Sequence, residues 1–144
     1  MKYIGIDIGD GESAVACLAE DSVIEPVIQP IDGRGSILSV VGMAGTEVRI
    51  GEKALLDRKV VHLRSRFKSR YLNTMDAERD IERFAHGLRT ALLEEADDFF
   101  DGDVYIAVGC PAGWKENDRA RYCEIMKRAG LGDVHIVSES RAAF

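Results

Sequence analysis

The stretch Tyr3-Ile4-Gly5-Ile6-Asp7-Ile8-Gly9-Asp10-Gly11-Glu12-Ser13 holds the residues best suited to chemistry. An apolar run delivers one carboxylate, Asp7, to a turn bearing Gly9 and Gly11, and a second apolar run, Ala14 to Ala19, returns at once. Glycines leave backbone N–H groups accessible, so such a turn can cradle a polyphosphate. A carboxylate at the strand end can order the waters of the accompanying cation. Gly9, Asp10, Gly11, Glu12 and Ser13 are therefore candidate phosphate-binding residues, with Asp7 as the candidate metal-side carboxylate. The same pattern also reads as an ordinary hairpin closed by Asp10-Gly11.

Composition narrows the classes. The chain has 144 residues, within the range of one domain, and is 46% hydrophobic and 31% charged, as a globular protein is. A formal charge of -6 without a basic stripe argues against nucleic acid as a partner. One basic stretch stands out, with Arg58, Lys59, Arg64, Arg66, Lys68 and Arg70, and is expected as solvated surface. Cys17, Cys110 and Cys123 are odd in number and lack metal spacing, and His62, His86 and His135 are scattered. These features fit a reducing, cytoplasmic setting without a disulfide framework. The sequence shows neither a signal-peptide pattern nor an apolar run long enough to span a membrane.

The elements that must position Asp7 and its turn follow from periodicity. Residues 2–8 and 13–19 read as a hairpin, residues 23–27 as a third strand, and residues 32–35 as a loop. Residues 36–43 form one β-rich run, 48–50 a short strand, and 52–56 a short helix. From Asp76 the period becomes helical: Ile81, Phe84, Ala85, Leu88, Leu92 and Phe99 share a face, with Thr74 as N-cap and Asp101-Gly102 as the stop. Gly87 inside that helix costs about 1 kcal/mol relative to alanine. Val104, Ile106 and Val108 alternate as a strand closed by Pro111. A helix over 116–129 ends at Gly130, and 134–137 is a strand leading to Glu139. Strands separated by helices imply parallel crossovers onto the first strand, hence an α/β fold. Ligands bind such sheets at the carboxyl ends of the strands, where Asp7 and Glu139 both fall.

In this order the residues resemble the amino-terminal lobe of an actin-like ATPase, closest to the heat-shock chaperone branch. Four stretches carry the resemblance. Ile4 to Gly9 with Ser13 resembles the first phosphate motif. Residues 36–41, then Val48 to Ala54, resemble the chaperone strand, glycine and short helix. Phe67-Lys68-Ser69-Arg70 falls where that branch has a lysine–arginine pair. Residues 108–143 resemble its strand, Pro-Ala, aromatic, helix, Ala-Gly-Leu, strand and glutamate, with Pro111, Arg119 and Glu139 at family spacing. The match is thin over 22–35 and through the Asp76 helix.

The resemblance implies a ribonuclease-H-like, actin-like lobe: a mixed five-stranded sheet flanked by helices, with residues 33–75 as a small inserted subdomain and 1–144 as the whole lobe. It implies ATP and Mg as cofactors. Asp7 and Glu139 would act on the metal through water, and the turn Gly9–Ser13 would hold the phosphates. Lys68 would stabilise charge at the γ-phosphate or attacking water. Pro111 and Arg119 would couple nucleotide state to a protein or peptide partner, with clients and cochaperones as further partners. A second lobe, needed to close the nucleotide cleft, is expected beyond Phe144, so the fragment alone is expected to be inactive. Asp10, Gly11 and Glu12 depart from the family's small hydroxyl residues, and Ser140 and Arg141 from its proline and small polar residue. These departures keep open a non-hydrolysing scaffold that binds partners. A filament-forming relative and a sugar kinase fit less well, because residues 36–72 resemble the chaperone branch more than either and no aspartate base or sugar-contacting residues can be identified for a sugar kinase.

Overall fold

A computed structural model describes residues 1–19, 25–68 and 75–138. In chain order the strands and helices are β1 (Lys2–Ile8), β2 (Glu12–Ala19), β3 (Val27–Ile28), β4 (Ile37–Leu38), β5 (Val40–Ala44), β6 (Glu47–Ile50), α1 (Gly51–Leu56), β7 (Val61–Ser65), α2 (Met75–Glu95), β8 (Val104–Cys110), α3 (Glu116–Met126) and β9 (His135–Ser138). A single π-helical turn, Lys127–Leu131, continues α3 and ends where Gly130 takes φ 98°, a left-handed value suited to glycine.

Alternation builds the main sheet. Ile4, Ile6 and Ile8 point to one buried face of β1 and Val15 joins them from β2. The hairpin pairs antiparallel from Lys2 beside Ala19 to Ile8 beside Ser13. β8 adds parallel to β1 and β9 parallel to β8, each after a helical crossover. The order is β3-β2-β1-β8-β9, and β4 also pairs with β2, giving six strands rather than the expected five. The extra strand arises because residues 36–43 are not one strand. Ile37–Leu38 pair with β2, the backbone breaks at Ser39, and Val40–Ala44 enter a separate three-stranded sheet, β6-β5-β7.

Helices α2 and α3 cover one face of the main sheet. Ile81, Phe84, Leu88 and Leu92 of α2 and Tyr122, Ile125 and Met126 of α3 share one buried cluster with Ile4, Ile6, Ile8 and Val108. Each such side chain contributes roughly 1.5–3 kcal/mol when fully buried. At Gly87 the second sheet lies against α2, where a Cβ would come 2.5 Å from Ile50 Cγ2 and 3.1 Å from Val48 Cγ1. The helix propensity lost at Gly87 is thus exchanged for a close strand–helix approach.

Three further expectations are corrected. The helix stops at Glu95, and Phe99 reaches the core from a turn closed by its N–H to Ala96 O at 3.0 Å. The third strand is Val27–Ile28, after Pro26, while 23 and 24 lie outside the described residues. The basic stretch contains a strand, β7, and its exposed part ends at Arg66, since Phe67 and Lys68 are buried. Thr74, the expected N-cap of α2, also lies outside the described residues. Among the described residues no helix is long and apolar enough to cross a membrane.

Candidate functional site

The turn between β1 and β2 is the centre of the candidate site. Gly9 N–H donates to Glu12 O at 3.1 Å and closes it. A Cβ on Gly9 would sit 2.6 Å from that same oxygen, so only glycine fits there. This donor is spent within the turn, which leaves any ligand-facing donors to the residues after it. Around Gly11 the space is open. Asp7, Asp10 and Glu12 are all exposed, placing three carboxylates at or beside the turn.

The second half of the site comes from the segment between the two sheets. Ser39 N–H donates to Gly11 O at 2.9 Å, and the buried hydroxyls of Ser13 and Ser39 lie 2.7 Å apart. Ser13 is therefore a buried clasp to Ser39 rather than a hydroxyl turned to solvent. Ser39 was not legible as part of the site. Its only signal is a polar residue inside the apolar run 37–41.

Lys68 is 6% exposed. It follows β7 directly after Phe67, whose ring meets that of Phe84 on α2 with centroids 5.2 Å apart, so packing fixes the backbone at its root. The register of the parallel strands sets Ile6 beside Val108, Val108 beside Ile136 and Cys110 beside Ser138. Thus β1, β8 and β9 end along one edge of the sheet, with Asp7 near the end of β1. Glu139, the residue after β9, lies outside the described residues, as do Ser140 and Arg141. Among the described residues, no group of three or more His, Cys, Asp or Glu is placed to hold a metal.

Pro111 ends β8, and its carbonyl accepts the Trp114 N–H at 3.2 Å. Trp114 packs on Tyr122 with centroids 5.0 Å apart. Arg119 lies in the first half of α3, beyond the cap where Asp118 Oδ2 accepts the Lys115 N–H at 3.0 Å. Its side chain is half-buried, and its Nε is buried without a hydrogen-bond partner among the described residues.

No family model matches the chain. Over an alignment of 149 residues it is 26% identical to a chaperone protein DnaK of Thermosipho melanesiensis. That alignment takes in 97% of this chain and 25% of the relative, so the chain spans about a quarter of the relative's length. At this identity the similarity suggests a distant link to the heat-shock chaperone ATPases. The mixed sheet with its helices is compatible with one lobe of such a protein.

Proposed function

We propose that the chain forms the phosphate-binding lobe of a heat-shock-chaperone-like ATPase. The observation that carries this reading is the DnaK similarity running through 97% of the chain. The glycine-dependent turn after β1 supports it, because a Cβ at Gly9 would meet backbone. In this reading the backbone of Asp10 to Glu12, within the Gly9–Ser13 turn that the Gly9–Glu12 hydrogen bond and the Ser13–Ser39 pair hold in shape, receives the phosphates of ATP, and Asp7 orders the water shell of Mg. Lys68 directs its ammonium at the terminal phosphate, and Glu139 acts on the metal shell from the end of β9. Bound MgATP would supply the transferable phosphoryl group, and the chain's residues would position it and stabilise its charge. Residues 33–75, with the β6-β5-β7 sheet, form an inserted subdomain that carries Lys68. Pro111 and Arg119 transmit nucleotide state to a client or cochaperone in the longer protein.

The exposed carboxylates Asp10 and Glu12 favour one second reading, a non-hydrolysing partner-binding lobe, since two extra negative charges repel a polyphosphate unless a cation screens them. Titrating the isotope-labelled chain with MgATP separates the two. The ATPase reading expects saturable amide shifts at Gly11 and Glu12, with a Kd above about 1 mM because only one side of a cleft is present. It also expects Asp7→Asn to weaken the Mg-dependent part. Absence of shifts at the turn, or shifts indifferent to Mg, would favour the scaffold.

A further inference from the structure

A pocket of about 840 Å³ opens between the turn Ile31–Arg34, β6, α1 and the carboxyl half of α2. None of its lining residues belongs to the Gly9–Glu12 turn, so a ligand held there is independent of the nucleotide reading. Ile31, Ile37, Val48 and Ile50 give it an aliphatic lining.

The charges around it are unequally committed. Arg34 pairs with Glu52 at 2.6 Å and Lys53 with Asp32 at 3.2 Å. Arg49 reaches Glu47 at 2.7 Å and Asp57 at 3.6 Å. Each lining cation is thus already held by a carboxylate. The carboxylate of Glu94, an exposed lining residue on α2, has no hydrogen bond or ion pair among the described residues. The Arg49 guanidinium feels its charge but is paired elsewhere. An entering anion would have to break an existing pair, whereas an entering cation meets a carboxylate that is ready for it.

The wall opposite α1 is held in place beforehand. Asp32 adopts φ 52° and Gly33 φ 75°, and the Asp32 N–H donates to Glu95 Oε1 at 2.9 Å. Two ion pairs and this hydrogen bond hold a non-glycine residue in the left-handed region, so the pocket wall needs little ordering when a ligand arrives. Leu56, 81% exposed, extends the apolar surface at the rim.

We infer that this pocket docks a basic segment of a partner protein, with an arginine or lysine side chain laying its aliphatic stem on the apolar lining and its charged head against Glu94. Long cationic side chains divide between apolar and charged surroundings in this way. The pocket exceeds one side chain, and Leu56 offers a seat for an apolar neighbour, which favours a peptide over a free small cation. The chain's net charge of -6 favours the approach of a basic partner in general, and Glu94 marks where its cation would settle.

The test uses the whole labelled chain and two probes, acetyl-Ala-Leu-Arg-Leu-Ala-amide and the same peptide with glutamate in place of arginine. The arginine peptide is expected to shift the amides of Val48, Ala91 and Glu94 saturably, with a Kd of about 0.1–1 mM, and the glutamate peptide to leave them in place. Glu94→Gln, at an exposed position, should weaken binding at least about fivefold. Thr90→Trp, also exposed and lining the pocket, should abolish it by filling the space. Equal shifts from both peptides, none up to about 10 mM, or native affinity in both variants would overturn the assignment.

Discussion

Two serines decide how firmly the turn after β1 is seated. Ser13 and Ser39 place their hydroxyls 2.7 Å apart in a buried setting, and each satisfies the other. Replacing one with alanine strands a buried hydroxyl and should cost about 1–3 kcal/mol. Replacing both removes donor and acceptor together, so Ser13→Ala with Ser39→Ala should cost clearly less than the sum of the two single changes. Urea unfolding of the four proteins measures this. Strict additivity would mean that the hydroxyls act independently. At this scale sequence was a partial guide. Gly9 could be read from its own type, because glycine in a tight turn after a strand has a local cause. The burial of Ser13 and Lys68 could not, because it depends on residues 26 positions away in one case and on packing of the adjacent Phe67 in the other.

Among the elements, α2 is held to α3 and the π-helical turn by a charged clasp. Glu78, with its side chain 18% exposed, accepts from Arg121 and from Arg128, and Arg128 also reaches Glu82. Burial pushes the Glu78 carboxyl up, but the hydrogen bonds and charges of Arg128 and Arg121 outweigh it and hold the carboxyl below its ordinary value. A carboxyl depressed in the folded state adds stability above its unfolded pKa and loses it as pH falls through the folded one. The melting temperature should therefore drop on acidification through and below the ordinary carboxylate range of about pH 4, and by less in Glu78→Gln. Matching pH profiles for the two proteins would remove Glu78 from the cause. The long helix and the alternating strands were legible because their periods arise within the element. β7 was not, since all five of its residues are exposed and only pairing with β5 makes it a strand. The split at Ser39 was hidden for a related reason. The apolar run is continuous, and only tertiary pairing sends its halves to different sheets.

Across the whole molecule, the parallel arrangement of β1, β8 and β9 has a physical consequence. Parallel strands are ordinarily buried on both faces. Here, among the described residues, α2 and α3 cover the face of Ile4, Ile6 and Val108. On the opposite face Tyr3 is 39% and Tyr105 36% exposed. His135 stacks on Tyr105 with centroids 4.0 Å apart, and small residues, Gly5 beside Ala107, leave the middle of that face low. An aromatic, weakly charged face of this kind should bind a hydrophobic dye while the chain remains folded. Anilinonaphthalene sulfonate is therefore expected to fluoresce with the native chain. The double change Tyr3→Glu with Tyr105→Glu should cut that signal several-fold, because it removes both rings and places two carboxylates on the face, which repel the dye's sulfonate. Stability should fall by about 1–3 kcal/mol, because the change removes the Tyr3–Tyr105 and Tyr105–His135 ring contacts together and sets two like charges side by side. If the signal persisted in the double variant, the dye would have to occupy other exposed apolar residues, such as Leu55 and Leu56 of α1, and the bare face would not be the accessible surface the parallel strands imply.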